Sequence, residues 1–156
     1  MADLEKNGIG ISIRNLYKIF GSEPEKYIDA VKAGMTKAEL NDKHNHVLGL
    51  KDINIEMPGG AIQVVMGLSG SGKSTLIRHI NRLIDPTAGE IIVGEEDVVG
   101  MNELELREFR RHKTAMVFQK FALLPHKTVL ENAGYGLEIQ GVPRKVQNEK
   151  ALRWIN

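Results

Sequence analysis

Ile9, Ile11 and Ile13 alternate with Gly10, Ser12 and Arg14, a period of two that predicts a half-buried strand. Ile53, Ile55 and Met57 alternate with Asp52, Asn54 and Glu56 and predict a second, and Glu90 to Val93 predicts a short third. Between the first two lies a polar, charged stretch from Ser22 to His46. Its Ser22–Glu25 and Thr36–Glu39 spacings predict capping boxes that open two small surface helices. The first would carry Tyr27, Ile28 and Val31 on one side and end near Gly34. This insertion reads better as a solvated excursion than as a partner contact.

Two further runs, Ala61 to Met66 and Thr114 to Phe118, are short and mostly apolar, as buried strands are. Pro58-Gly59-Gly60 predicts a turn that sets the second strand antiparallel and adjacent to the Ala61 run. Leu76, Ile77, Ile80, Leu83 and Ile84 recur at helical spacing until Asp85-Pro86 ends the pattern, and Pro86 to Gly89 is a turn. Asn102 to Lys113 reads as a charged helix with Glu103–Arg107 and Glu108–His112 placed as i, i+4 pairs. Thr128–Glu131 is another capping box, followed by Val129, Leu130, Ala133, Leu137 and Ile139 on one helical face, and Arg144 to Trp154 starts a last helix.

Where the period changes from strand to helix stands Gly67-Leu68-Ser69-Gly70-Ser71-Gly72-Lys73-Ser74-Thr75. It fits the phosphate-loop pattern of glycine, four residues, glycine, lysine and serine or threonine. Glycines let backbone N–H groups turn inward around a polyphosphate, and the helix start adds the positive end of its dipole. Lys73 would reach the outer phosphates, and the Ser74 hydroxyl would sit on Mg²⁺. A flexible Gly/Ser linker explains neither the strand before nor the helix after.

Composition changes the picture little. The 156 residues suggest one domain able to bury a core. A net charge of +1 gives no reason to expect nucleic acid, and Arg110 to Lys113 reads as a solvated helix end. The absence of cysteine excludes a disulfide scaffold and a cysteine-based zinc site. No run approaches the roughly 18 apolar residues of a membrane span, and acidic residues with no apolar stretch exclude a signal peptide in Met1 to Gly10.

Other candidates depend on their neighbours. An aromatic after the first strand, Tyr17 or Phe20, either stacks on a base or joins the core. Gln119, at the end of the Thr114 run, either contacts Mg²⁺ or an attacking water, or is merely solvated. Phe121 to Pro125 is an apolar loop open to a partner. His79, His112 and His126 read as surface or loop histidines, and Glu131, Glu138 and Glu149 end no apolar strand.

With these residues assembled, the chain from about Ile11 onward resembles the first half of an ATP-binding cassette ATPase, an α/β phosphate-loop NTPase. Gly67 to Thr75 matches the Walker A loop, Val117-Phe118-Gln119 the Q-loop, and Leu16 to Gly21 the segment whose aromatic stacks on adenine, which favours Phe20. The opening Arg14 to Gly21, the insertion and Met116 to His126 resemble the glycine betaine/proline importer subfamily. The resemblance implies an antiparallel strand layer beside a core sheet within residues 1–119, interrupted by the insertion at about 22–46, and the start of a helical subdomain in 120–156. It implies ATP and Mg²⁺ as cofactors, with Phe20 and Gly67 through Thr75 binding nucleotide, Ser74 and Gln119 at the metal, and Lys73 and Gln119 serving hydrolysis. It also implies a homodimer of ATPase subunits, peripheral at the cytoplasmic face of the inner membrane, with an integral-membrane permease contacting the Phe121–Asn132 segment. A signature segment, an apolar strand ending in Asp-Glu and a switch histidine are missing from the sequence. The chain alone is therefore expected to bind nucleotide weakly and not to hydrolyse it efficiently. A truncated, non-catalytic product is the alternative, with a phosphate-loop kinase or GTPase behind it.

Overall fold

The computed structural model describes residues 8–119 and 122–155. They divide into two compact units between Asn102 and Glu103. The first is built on a four-stranded antiparallel sheet of β1 (Ile11–Phe20), β2 (Val47–Met57), β3 (Ala88–Val93) and β4 (Glu96–Asp97), in the order β2-β1-β3-β4.

The predicted first strand continues through Leu16 to Phe20 because a bulge absorbs the break in its alternation. Asn15 and Asp52 both take positive φ, 47° and 50°, a conformation their short polar side chains tolerate. Asn54 accepts from the Asn15 N–H at 2.8 Å and donates to the Asp52 side chain at 3.0 Å, which fixes the kink. Gly89 crosses the bulge at φ 107°, where a Cβ would lie 2.6 Å from the Leu16 Cα, so only glycine fits. Past the bulge both faces of β1 are covered, and Leu16, Tyr17 and Ile19 are all buried.

The insertion supplies one of those covers, which corrects the expectation of a solvated excursion. It forms a 3-10 turn (Pro24–Tyr27), α1 (Ile28–Lys32) and α2 (Lys37–His44). Val31 and Leu40 are completely buried in one cluster with Tyr17 and Ile19. Burying each such side chain stabilises by about 1.5–3 kcal/mol. The Thr36–Glu39 capping box forms at α2. The Ser22–Glu25 box does not: the turn starts at Pro24, whose ring pre-sets the first position, so Glu23 is the cap and Ser22 stands one residue too early. His46 closes the base of the insertion, its ring nitrogens 2.6 Å from the His44 carbonyl and 2.7 Å from the Ser22 carbonyl.

The two expected core strands do not form among the described residues. Residues 61–66 and 114–118 carry no ladder, and Ile62 is 94% and Val117 97% exposed. The predicted antiparallel pairing of the second strand with the Ala61 run is likewise absent, since β2 pairs with β1. An apolar run becomes a buried strand only when ladder partners and covering layers exist, and neither run finds them among the described residues.

The second unit contains α4 (Glu103–His112), α5 (Val129–Ile139) and α6 (Arg144–Ile155). In α4, Glu108 pairs with Arg111 at 2.7 Å and with His112 at 3.3 Å. Gly134 of α5 packs beside Ala151 of α6, two small residues that let the helices approach. Among the described residues no helix is long and apolar enough to cross a membrane.

Candidate phosphate-binding site

The phosphate loop lies in the first unit and leads into α3 (Lys73–Ile80). The start of this helix differs from those of α2 and α5. Those two are closed by threonine side chains in complete capping boxes, whereas α3 begins at Gly72, at φ 94° and with no side-chain cap. The first N–H groups of a helix have no intrahelical acceptor, so an uncapped start presents them to an anion. Gly70, at φ 77°, turns the loop with no side chain over it. A Cβ at Gly72 would lie 3.0 Å from the Gly49 carbonyl oxygen and 3.0 Å from Leu50 Cδ2, so the loop is pressed against β2 there.

Lys73 reaches into the loop. Its ammonium donates to the carbonyls of Gly67 at 2.7 Å and Leu68 at 2.6 Å and to Ser71 Oγ at 3.4 Å. A phosphate oxygen could take over any of these acceptor positions without moving the charge far. Ser74, on the exposed side of the first turn, offers a hydroxyl beside the same N–H groups, and Leu68, Ser69 and Thr75 complete the loop. The donor set suits a magnesium-bound polyphosphate: uncapped N–H groups, one ammonium, one hydroxyl and glycines where a Cβ would intrude.

Below the loop, α3 is anchored by Leu76 and His79. His79 is wholly buried, which corrects its reading as a surface or loop histidine. Helical spacing sets it on the same face as Leu76 and Ile80. Its Nδ1–H donates to the Thr75 carbonyl at 2.7 Å, while Nε2 is buried with no hydrogen-bond partner. Burial holds its pKa below the ordinary histidine value.

Of the two aromatics, Tyr17 belongs to the core beneath the insertion and Phe20 is 39% exposed at the end of β1. Phe20 and the phosphate loop therefore share the first unit. Gln119 is exposed on a bend in the second, after a run with no strand.

In that second unit the loop 122–128 folds over the start of α5, bordering an open surface pocket of about 380 Å³ whose lining includes Leu123, Leu124, Pro125 and Val129. Phe121, part of the apolar loop expected from sequence, lies outside the described residues. The organiser is Asn132, whose role the sequence reading missed. Its Oδ1 accepts from the Leu124 N–H at 2.8 Å, and its Nδ2 donates to the carbonyls of Leu124, Lys127 and Thr128 at 3.0–3.1 Å. An asparagine one turn into a helix that follows an irregular loop was the available signal. Glu131 is spoken for: the Thr128 N–H and hydroxyl donate to it, which holds its pKa below the usual carboxylate value.

The family described as ABC transporter matches residues 50–156. The chain is 46% identical over 144 residues to the glycine betaine/proline betaine transport system ATP-binding protein ProV of Escherichia coli (strain K12), covering 92% of this chain and 36% of that protein. It is 46% identical over 149 residues to the glycine betaine transport ATP-binding protein OpuAA of Bacillus subtilis (strain 168), covering 96% and 36%. The chain thus spans about a third of the length of these relatives. Among solved structures, the dimeric bacterial ABC transporter cassette MJ0796 matches with a TM-score of 0.71 at 29% identity, over 92% of this chain and 54% of that one. A post-hydrolysis dimer of MJ0796 bound to ADP and Pi matches with a TM-score of 0.67 at 26% identity, over the same shares. The uncapped glycine loop, its inward lysine and the antiparallel layer beside it are those of a cassette ATPase, and the chain belongs to the ABC transporter family.

Proposed function

We propose that this chain binds Mg-ATP through the loop Gly67–Thr75, as the nucleotide-binding part of an importer for osmoprotectants of the glycine betaine/proline type. The observation that carries the reading is the uncapped start of α3 with Lys73 turned into the loop. Backbone N–H groups of residues 70–75 and the Lys73 ammonium would hold the phosphates, and Ser74 would ligate the metal. Phe20, exposed where Tyr17 is buried, would stack on the adenine. Mg²⁺ would neutralise phosphate charge, and Gln119 is the second residue assigned to it and to the attacking water.

The solute class rests on relatives named for glycine betaine and, at 42% identity, on one named for trimethylamine N-oxide in Pelagibacter ubique (strain HTCC1062). Hydrolysis, pairing of two ATPase subunits and contact with a membrane permease through the loop clamped by Asn132 are proposed for a polypeptide of the relatives' length. That assembly would lie peripherally at the cytoplasmic face of the membrane.

The test is Lys73→Ala. In the 156-residue chain it should abolish Mg-ATP binding, and in a polypeptide of full relative length it should abolish ATPase activity and betaine uptake. Unchanged binding would remove the phosphate loop from the site. For the 156-residue chain itself the expected result is binding without Lys73-dependent turnover.

A further inference from the structure

The position of the Phe20 ring is set by two residues that the nucleotide-site reading does not include. A Cβ added to Gly49 in β2 would lie 2.6 Å from Phe20 Cε2 and 3.2 Å from Cδ2, so the ring lies where any other side chain would stand. The carbonyl of the same Gly49 is the group against which Gly72 of the phosphate loop packs. Lys18 is the second residue that meets the ring. It is half-buried, its ammonium lies 5.2 Å from the centre of the Phe20 ring, and it donates to the Asp85 carbonyl at 2.8 Å. Asp85 belongs to the turn after α3 and is held there by Arg82 at 2.7 Å.

The ring is therefore referenced to both ends of α3, through Gly49 to its first residues and through Lys18 to the turn that follows its last. We infer that Gly49 and Lys18 are positioning residues that fix Phe20 against the phosphate loop and so determine how much a base adds to polyphosphate affinity. The inference rests on the reading of Phe20 as a base-stacking residue. Physically, a stacked base gains most when its ring partner stands at a distance from the phosphates that the ribose and its phosphate ester can span without strain. The ammonium over the ring restrains its rotation by a cation–π contact, and the ring, 39% exposed, keeps surface that a planar base could cover. A branched side chain at position 49 would push the ring tip aside at little cost to folding, since the displaced atoms end a rotatable side chain.

The experiment compares Mg-ATP with magnesium tripolyphosphate, which keeps the phosphates and lacks the base, on the 156-residue chain and its Gly49→Val, Gly49→Ala and Lys18→Met variants. Base–aromatic stacking predicts that the parent binds ATP about tenfold more tightly than tripolyphosphate. Gly49→Val should erase most of that ratio and Lys18→Met should reduce it about threefold, with tripolyphosphate affinity unchanged. Gly49→Ala should give an intermediate ratio. In a Phe20→Leu background, Gly49→Val should have no further effect, which a merely structural role would not produce. A parent ratio that survives Gly49→Val and Lys18→Met overturns the inference and leaves the nucleotide reading standing. Equal loss of tripolyphosphate binding in the variants also overturns it, since the effect would then lie in the loop. A parent that binds both ligands equally overturns the stacking role of Phe20 and the inference with it. One that binds neither overturns the phosphate-site reading as well.

Discussion

The antiparallel layer and the run that leads into the phosphate loop are both rich in isoleucine and valine, yet one is folded into a core and the other is not. Ile13, Leu16 and Ile19 of β1 are buried because β2 and β3 pair with that strand on either side and the insertion covers part of it. Ile62, Val64 and Met66 have as much apolar surface and remain exposed. Hydrophobic content is thus not what makes a strand. Burial requires neighbours that satisfy its backbone, and within the described residues only the antiparallel layer has them.

The largest expected effect breaks the layer from inside. Ile19→Ala removes a fully buried side chain from the cluster with Val31 and Leu40 and should cost about 2–5 kcal/mol. Urea unfolding would read this as a lower midpoint with an unchanged slope. A cost under about 0.5 kcal/mol, the level of an ordinary surface change, would mean that the insertion does not seal the sheet.

Asn132→Ala carries the comparison into the second unit, where an irregular loop is held by side chain rather than by ladder. It removes the side-chain partner of the Leu124 N–H and of the Lys127 carbonyl, while the Leu124 and Thr128 carbonyls keep the backbone N–H groups of Lys127 and Asn132. The expected cost is about 1–3 kcal/mol, with amide exchange quickened at Leu124 and nearby. Unchanged exchange there would show that the loop holds its shape without the clamp.

What was legible from the sequence follows the same division. The phosphate loop and the capping boxes at Thr36 and Thr128 are local patterns, and each lies where its spacing placed it; the helix after the loop starts as expected but stops at Ile80, short of Leu83 and Ile84, because Arg82 turns to φ 50°. The bulge at Asn15 was not legible, because alternation fails there and the compensating Asn54 lies 39 residues away. The insertion was misjudged for a related reason: Val31 and Leu40 are sparse among charges and reveal a buried face only once Tyr17 and Ile19 lie beneath them. The runs 61–66 and 114–118 are apolar and short enough for buried strands, but pairing is a property of their neighbours.

His79 offers a smaller and pH-dependent effect. Its folded pKa is depressed, so the unfolded chain binds the proton more readily. Stability from this group should be complete above the unfolded value of about 6.5 and should fall as pH drops from there toward the lower folded value. His79→Leu should flatten that part of the stability–pH curve. An identical slope in the variant would assign the acid sensitivity to other groups.

The smallest effect is expected where composition suggests the largest. Ile62→Ser removes as much apolar surface as a core substitution would, but the side chain is 94% exposed, so the change in stability should stay within about 0.5 kcal/mol. The same substitution in a polypeptide of the relatives' length separates two causes. If run 61–66 lacks only ladder partners, the added chain should supply them, and the cost should rise into the range of a buried isoleucine, about 2–5 kcal/mol. If the cost stays small in both, the run is exposed by its own conformation, and the loop it leads into is positioned from Gly49 and α3 alone. A large cost already in the 156-residue chain would mean that the run is buried there, and the contrast with the antiparallel layer would disappear.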